Sequence, residues 1–330
     1  MTMARRTFLA AAAAFAARRA RAAGAFGGAM TLAREVDRLR SLVIVHDGAI
    51  AAAEAFRGPA LDRAVNVKSV SKTLLSTLAG AALERGEIPS LDTPVAPYLK
   101  RMIPRRGDPR LRTITLRHVL AMQSGLAPMA GSTYGAWVSG PHWVYDALAA
   151  PMRADPGTVR LYSTANTHIL GVVLARAANL DLLDLANARL GAALDIRFAP
   201  WTRDPQGHYL GGNDMAMSPL AMARYGEAYR AGGTWGGARI ATPDWIDTCW
   251  TPRTEPDTPG HRYGLTWFLW DVGGVRVAYA RGFGGQMIYV VPERALTVAM
   301  TSDPARPARV DGHIAVLHAL LSAAILPAAG

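Results

Sequence analysis

Ser69-Val70-Ser71-Lys72 places a hydroxyl and an amine three residues apart at the head of an apolar stretch. On a helix that spacing sets both side chains on one face, roughly 5–6 Å apart at Cβ, so the amine can reach the hydroxyl. The chemistry open to such a pair is nucleophilic attack by serine, with lysine taking its proton. The first turn of a helix carries about half a positive charge, which favours an alkoxide-like oxygen there. A lysine with an ordinary pKa of ~10.4 is a poor base at neutral pH. An apolar wall lowers it, and Leu75 and Leu78 supply that wall. Taken alone, the tetrad also fits a capped helix with a surface lysine. Its setting argues for chemistry: Lys72 is one of three lysines, with Lys68 and Lys100, and it opens the most apolar helix of the chain.

Other chemistries find little support. The sequence has no G-x-S-x-G elbow, no H-E-x-x-H, no phosphate-binding loop and no strand-linked G-x-G-x-x-G. The eight histidines are scattered, and His118 reads as a packing residue. Cys249 is the sole cysteine, which excludes an intramolecular disulfide and a Cys-based zinc site and suits a small core residue beside Trp250. No metal or organic cofactor is expected.

The elements that must position Ser69 and Lys72 follow from periodicity and punctuation. Residues 31–40 read as a helix, and 41–45 and 49–56 as strands joined through His46-Asp47-Gly48, a hairpin signal. A helix is expected from Ser69 to about Arg85, closed by Gly86 and Pro89 and apolar over most of its circumference. Residues 91–100, 116–122, 143–150, 166–178 and 182–192 read as helices or turns. Ser218-Pro219 caps a helix over 220–231. Strands return at 263–269, 275–280, 287–291 and 295–301, and 313–325 closes as a helix. Strands at both ends with helices between predict an α+β fold: one antiparallel sheet built from both chain ends, flanked by helices, with an inserted helical lobe. The expected divisions are residues 1–22 as an export signal, 30–65 and 200–330 as the sheet-containing region and 66–199 as the helical region, forming one catalytic domain.

Half the residues are hydrophobic and 18% are charged, enough for a large core and against wholesale disorder. The formal charge of +11 raises the question of nucleic acid. Without Arg5, Arg6, Arg18, Arg19 and Arg21 it falls to about +6 with no basic block, so no nucleic-acid partner is expected. Those arginines belong to a twin-arginine-type signal: Arg5-Arg6-Thr7-Phe8-Leu9, an apolar run over 7–17 and a small-x-small site at Ala20-Arg21-Ala22. The run is too short to span a bilayer. Periplasmic or secreted location is expected, with no stable membrane insertion after signal removal. A start at Met30 or an uncleaved tail, and with it a cytoplasmic location, is the alternative. The oligomeric state is left open.

The tetrad, together with Tyr162-Ser163-Thr164-Ala165-Asn166 ahead of Ile169-Leu170-Gly171, resembles the serine β-lactamase and penicillin-binding-protein family. The resemblance is closest to its class C-like esterase and 6-aminohexanoate-dimer hydrolase branch. Also similar are residues 114–120, Ser124-Gly125-Leu126, Gly211-Gly212-Asn213, Arg281-Gly282-Phe283-Gly284-Gly285-Gln286 and Pro292-Glu293. Together they span residues 41–304. The resemblance implies a β-lactamase-like fold, Tyr162 as the phenol that exchanges a proton with Lys72, and backbone amides of Ser69 and Phe283 as oxyanion donors. Asn166, Asn213, Gly284 and Gln286 are candidate pocket residues; Asn213 reads equally as a loop residue. Ser124 and Gly125 read as turn-shaping. Trp137, Trp143, Trp267 and Trp270 read as core, with room for one or two at the pocket wall. Thr164 stands where the family usually carries asparagine, and no K-T-G is present, so ester or linear-amide substrates are favoured. A D-amino-peptide hydrolase or β-lactamase, with Arg281 supplying the lost cation, is the first alternative. A non-catalytic binder of cell-wall fragments is the second.

Overall fold

A computed structural model describes residues 24–254, 260–308 and 311–330. The expected export signal at 1–22 lies outside the described residues. Among those residues, no helix is long and apolar enough to cross a membrane.

The central sheet has seven strands: β1 (Leu39–His46), β2 (Ala49–Ala55), β3 (His261–Tyr263), β4 (Phe268–Val272), β5 (Val275–Gly282), β6 (Gln286–Val291) and β7 (Leu296–Ser302). Their order is β2-β1-β7-β6-β5-β4-β3, antiparallel throughout. The first strand therefore pairs with the last, Val43 opposite Ala299, and the sheet is closed by residues some 250 apart in sequence. The β1–β2 hairpin turns on Asp47 and Gly48, both at positive φ (51° and 77°), the pair of left-handed residues that a tight two-residue hairpin requires.

Alternation along the strands gives the sheet two apolar faces. Leu42, Ile44, Tyr279, Tyr289 and Met300 pack with Phe26 and Met30 of the N-terminal segment and with Leu317, Leu321 and Ile325 of the last helix. Val43, Ala280, Ile288 and Ala299 face the larger core. Among the helices, α1 spans Gly27–Glu35, α2 Ser71–Glu84, α3 Thr164–Ala178, α4 Pro219–Arg230 and α5 His313–Ala319. Helix α4 lies close on the sheet at Gly226, where a Cβ would meet Ile288 Cγ2 at 2.6 Å and Thr297 Cγ2 at 2.7 Å.

Helix α2 runs through the large core with nearly every residue from Ser71 to Ala82 buried. Its polar side chains are satisfied internally. Ser76 Oγ meets Cys249 Sγ at 3.2 Å, and Thr77 Oγ1 meets the hydroxyls of Tyr225 and Tyr229 at 2.8 and 2.7 Å. Cys249 is a buried free thiol, pushed up to about 12 chiefly by burial.

Several boundaries differ from the sequence reading. Ser69 lies in a 3₁₀ turn, Lys68–Val70, and the α-helix begins at Ser71. The N-terminal helix ends at Glu35, because β1 already starts at Leu39. The strand expected over 263–269 is two, β3 and β4, broken at 264–267 where Thr266 takes a φ of 66°. Of the stretches read as helices or turns, residues 91–100 are the turn case, a short 3₁₀ turn at Ala96–Leu99, with Pro94 and Pro97 opposing a longer helix. The helix Pro243–Trp250 was not anticipated, although Thr242-Pro243 is a cap of the same kind as Ser218-Pro219.

Because α2 carries Lys72, its packing is the mechanical base of the site. Leu78 is fully buried in it. We expect Leu78→Ala to lower the unfolding free energy by about 2–5 kcal/mol, read as a fall in the urea midpoint at unchanged slope.

Candidate active site

The turn bearing Ser69 is held from both sides. Lys68 sits at a φ of 53°, a left-handed conformation unfavourable for a residue with a Cβ. Its amide donates to Asn66 Oδ1 at 2.8 Å, and Asn66 Nδ2 donates to Asp214 Oδ1 at 2.8 Å. Lys68 Nζ lies 3.6 Å from the same carboxylate. On the other side, the end of β5 presses against the turn at Gly282, where a Cβ would meet Val67 O at 2.4 Å and Lys68 Cβ at 3.1 Å. Only glycine permits that approach, and the chain then enters Phe283, which lines the same cavity as Ser69. Gly284 and Gly285, at φ of 82° and 101°, then turn it back into β6.

Lys72 is 1% exposed. Its Nζ lies 3.0 Å from Ser69 Oγ, 3.2 Å from Thr164 Oγ1 and 2.7 Å from Gly212 O. The Tyr162 ring centroid is 5.4 Å away, and its phenol is in hydrogen-bonding reach of both Ser69 and Lys72. Burial holds the lysine below its ordinary range, against the opposing influence of Tyr162 and Asp214. Burial alone would raise the Tyr162 phenol. The Lys72 charge, the Ser69 hydrogen bond, Arg281 and Arg160 outweigh it and bring the phenol below its ordinary value. Two arrangements, ammonium with phenolate and amine with phenol, hold the same number of protons. The pair can therefore exchange a proton with Ser69 through either member.

Ser69, Tyr162 and Thr164 open onto a cavity of about 700 Å³, lined also by Tyr134, Arg160, Asn213, Arg281, Phe283, Gly284 and neighbours. Arg281 stacks on Phe268 at 4.4 Å and Arg160 on Tyr263 at 4.4 Å. A larger cavity of about 1080 Å³, lined by Trp250, Trp270, Arg276 and Glu293 among others, includes none of these groups. Among the described residues no group of three or more His, Cys, Asp or Glu side chains is arranged to hold a metal ion.

Ser69 and Tyr162 therefore line one cavity, with Lys72 buried behind Ser69, and Asn213 and Gly284 line it as well. Asn213 donates to Tyr134 Oη at 2.8 Å. Two expected pocket residues are elsewhere. Asn166 is 1% exposed inside α3, where its Oδ1 accepts from Ser124 Oγ at 2.8 Å. A position two residues past Thr164 on a helix turns away from the cavity. Gln286 is buried and ties β6 to β7 through Ser302 O at 2.8 Å. Ser124 and Gly125 shape a turn: a Cβ on Gly125, at a φ of 80°, would meet Ala154 O at 2.2 Å. The four tryptophans Trp137, Trp143, Trp267 and Trp270 are absent from the cavity lining. Thr164 Oγ1, Gly212 O, Tyr134 and Arg160 were not assigned from the sequence. Thr164 and Gly212 lay within segments already singled out, but a carbonyl contact leaves no trace in residue type.

The profile of the Beta-lactamase family matches residues 12–321. The chain is similar to the 6-aminohexanoate-dimer hydrolase of Paenarthrobacter ureafaciens, 26% identical over 219 residues, covering 62% of this chain and 55% of that protein. It is similar also to esterase EstB of Burkholderia gladioli, 28% identical over 166 residues, covering 44% and 40%. The chain thus spans about half the length of the curated relatives it matches. In fold it is similar to the octameric penicillin-binding protein homologue of Pyrococcus abyssi, at a TM-score of 0.66 and 19% identity, over 87% of this chain and 74% of that one. With nearly its whole length inside the family profile, this chain belongs to the Beta-lactamase family.

Proposed function

We propose that the chain is a serine hydrolase that opens an ester or linear-amide bond through an acyl-enzyme on Ser69. The observation that carries this is Lys72 Nζ, buried and 3.0 Å from the Oγ of Ser69, which lines a cavity large enough for an acyl group.

In the first half-reaction Ser69 Oγ attacks the carbonyl carbon while its proton passes to the Lys72–Tyr162 pair. The carbonyl oxygen gathers negative charge and is received by the Ser69 and Phe283 amides. Collapse breaks the bond to the alcohol or amine, which leaves with the proton held by the pair. In the second half-reaction water attacks the acyl ester, Tyr162 takes its proton, and Ser69 recovers a proton as the acid departs.

The strand edge carries Arg281-Gly282-Phe283 in place of K-T-G, and Thr164 offers one hydroxyl where the family has an amide. Both differences favour esters and linear amides. The names of the two curated relatives, an esterase and an amide-dimer hydrolase, agree with this. A second reading, D-amino-peptide or β-lactam hydrolysis, draws on Arg281 and Arg160 at the cavity wall, which suit a substrate carboxylate.

A fluorophosphonate probe should label the wild type and not Ser69→Ala; a folded wild type that resists labelling points to a non-catalytic binder. Lys72→Ala and Tyr162→Phe should each lower p-nitrophenyl ester turnover at least about tenfold, and near-normal rates in both would remove the proton-transfer assignment. Turnover should rise with pH as the pair loses one proton. Since both groups lie below their ordinary values of 10.5 and 10.0, the midpoint of that limb should fall below pH 10. A limb at or above pH 10 contradicts the assignment. Esters, linear amides, D-peptides and nitrocefin assayed side by side separate the two substrate readings.

A further inference from the structure

The carbonyl that receives Lys72 belongs to a loop pressed against α3. A Cβ on Gly211 would meet Thr167 O at 2.2 Å, and one on Gly212 would meet Thr167 Oγ1 at 2.3 Å and Lys72 Cγ at 2.8 Å. This contact fixes the distance between loop and helix. The direction of the Gly212 carbonyl depends on how the backbone leading into it is anchored, and the anchor at the Gly211 amide is a histidine.

His168 projects from α3 and is fully buried. Its Nδ1 accepts the Gly211 amide at 3.3 Å, and its Nε2 lies 3.1 Å from Asp204 Oδ2. A ring that accepts at Nδ1 while neutral must carry its proton on Nε2, which donates to the carboxylate. Burial keeps the imidazole neutral by holding its pKa below the ordinary value, against the pull of Asp204. Asp204 is buried as well. Burial would raise it, but hydrogen bonds from His168 and His208 hold it well below the usual carboxylate range. Its oxygens also accept the amides of Gln206 and His208 at 3.0 and 2.8 Å and His208 Nδ1 at 2.9 Å. The carboxylate therefore closes the 204–208 turn while fixing the ring. The edges of Trp137 and Trp143, with centroids 5.9 and 5.6 Å away, wall the imidazole in.

We infer that His168, anchored by Asp204, is a positioning residue for acyl transfer: by holding the Gly211 amide it sets the Gly212 carbonyl that aims Lys72 at Ser69. The inference rests on the serine-hydrolase reading above. His168 touches no reacting atom; it acts through the backbone between the Gly211 amide and the Gly212 carbonyl. Both of its nitrogens are used, one on the loop that meets the lysine and one on the loop's own turn.

Two substitutions divide the ring's functions. Asparagine places Oδ1 near the position of Nδ1, so His168→Asn keeps an acceptor for Gly211 and loses the bond to Asp204. Glutamine places Nε2 near the ring Nε2, so His168→Gln keeps the donor to Asp204 and loses the acceptor. The experiment measures kcat and KM for a p-nitrophenyl ester, with the thermal midpoint of each protein. His168→Gln should lose roughly tenfold in kcat with KM within about twofold, and His168→Asn should recover most of that loss even if it melts lower. Equal kcat in the two variants, or a slower His168→Asn, overturns the positioning role. So does a loss that follows the thermal midpoint instead of the acceptor. A wild type without turnover or probe labelling overturns the hydrolase reading itself, and this inference with it.

Discussion

An amine taken out of water must be given acceptors or surrender its proton. Lys72 is placed so that both outcomes are supported. As an ammonium it has three N–H groups, and three oxygens stand at 3.0, 3.2 and 2.7 Å: Ser69 Oγ, Thr164 Oγ1 and Gly212 O. As an amine it keeps two donors, for Thr164 and Gly212, and turns its lone pair toward Ser69. The two states use one shell and differ mainly in which atom owns the hydrogen between 69 and 72. In the proposed transfer little reorganisation is needed, which is the condition under which fixed dipoles act most strongly. Helix α2 brings this amine into the core, and the elements around it complete its shell.

That shell draws on three segments, the 69–72 turn, α3 and the Gly212 loop, and the strand β5 closes over it; they meet because side chains are missing where they cross. Gly282 lets β5 close over the nucleophile turn, and Gly212 lets the loop carbonyl reach the lysine. The turn itself carries the opposite burden, a left-handed Lys68 that costs about 1–2 kcal/mol. The Asn66–Asp214 hydrogen bond and the Asp214–Lys68 ion pair lie where they can offset it. Asp214 also reaches Lys72 through space, opposing the lowering that burial imposes. One carboxylate thus steadies the backbone of the Ser69 turn and offsets part of what burial takes from the basicity of Lys72.

Much of this was legible in the sequence, for reasons that can be stated. A sheet built from both ends follows from alternating strands at 41–56 and 275–301, and the hairpin follows from Asp47-Gly48. The tetrad marked Ser69 and Lys72 because a lysine in an apolar helix needs a reason to be there. Tyr162 came from resemblance, since no local pattern ties it to a helix ninety residues earlier. What was not legible was direction. Asn166 and Gln286 are the right residue types, yet the helical turn points one at Ser124 and the strand pleat points the other at Ser302. Thr164 was noted as a departure, but that its hydroxyl serves the lysine depends on tertiary distance. Gly212 contributes a carbonyl, which every residue has.

The proposed chemistry and the cavity wall are built differently. The atoms around Lys72 are buried and mutually bonded, so they tolerate little change. The cavity is bounded otherwise: Phe283 is half-exposed, Arg160 and Arg281 lie against aromatic rings, and Tyr134 is bonded to Asn213 at the lining. These residues come from separate elements, so each can vary without displacing the lysine. A threonine at 164 fits that logic. It gives Lys72 an oxygen at 3.2 Å and adds a hydroxyl and a methyl, with no amide, to the cavity lining, so under the proposed function the lysine shell is complete while the lining places one polar demand fewer on a substrate.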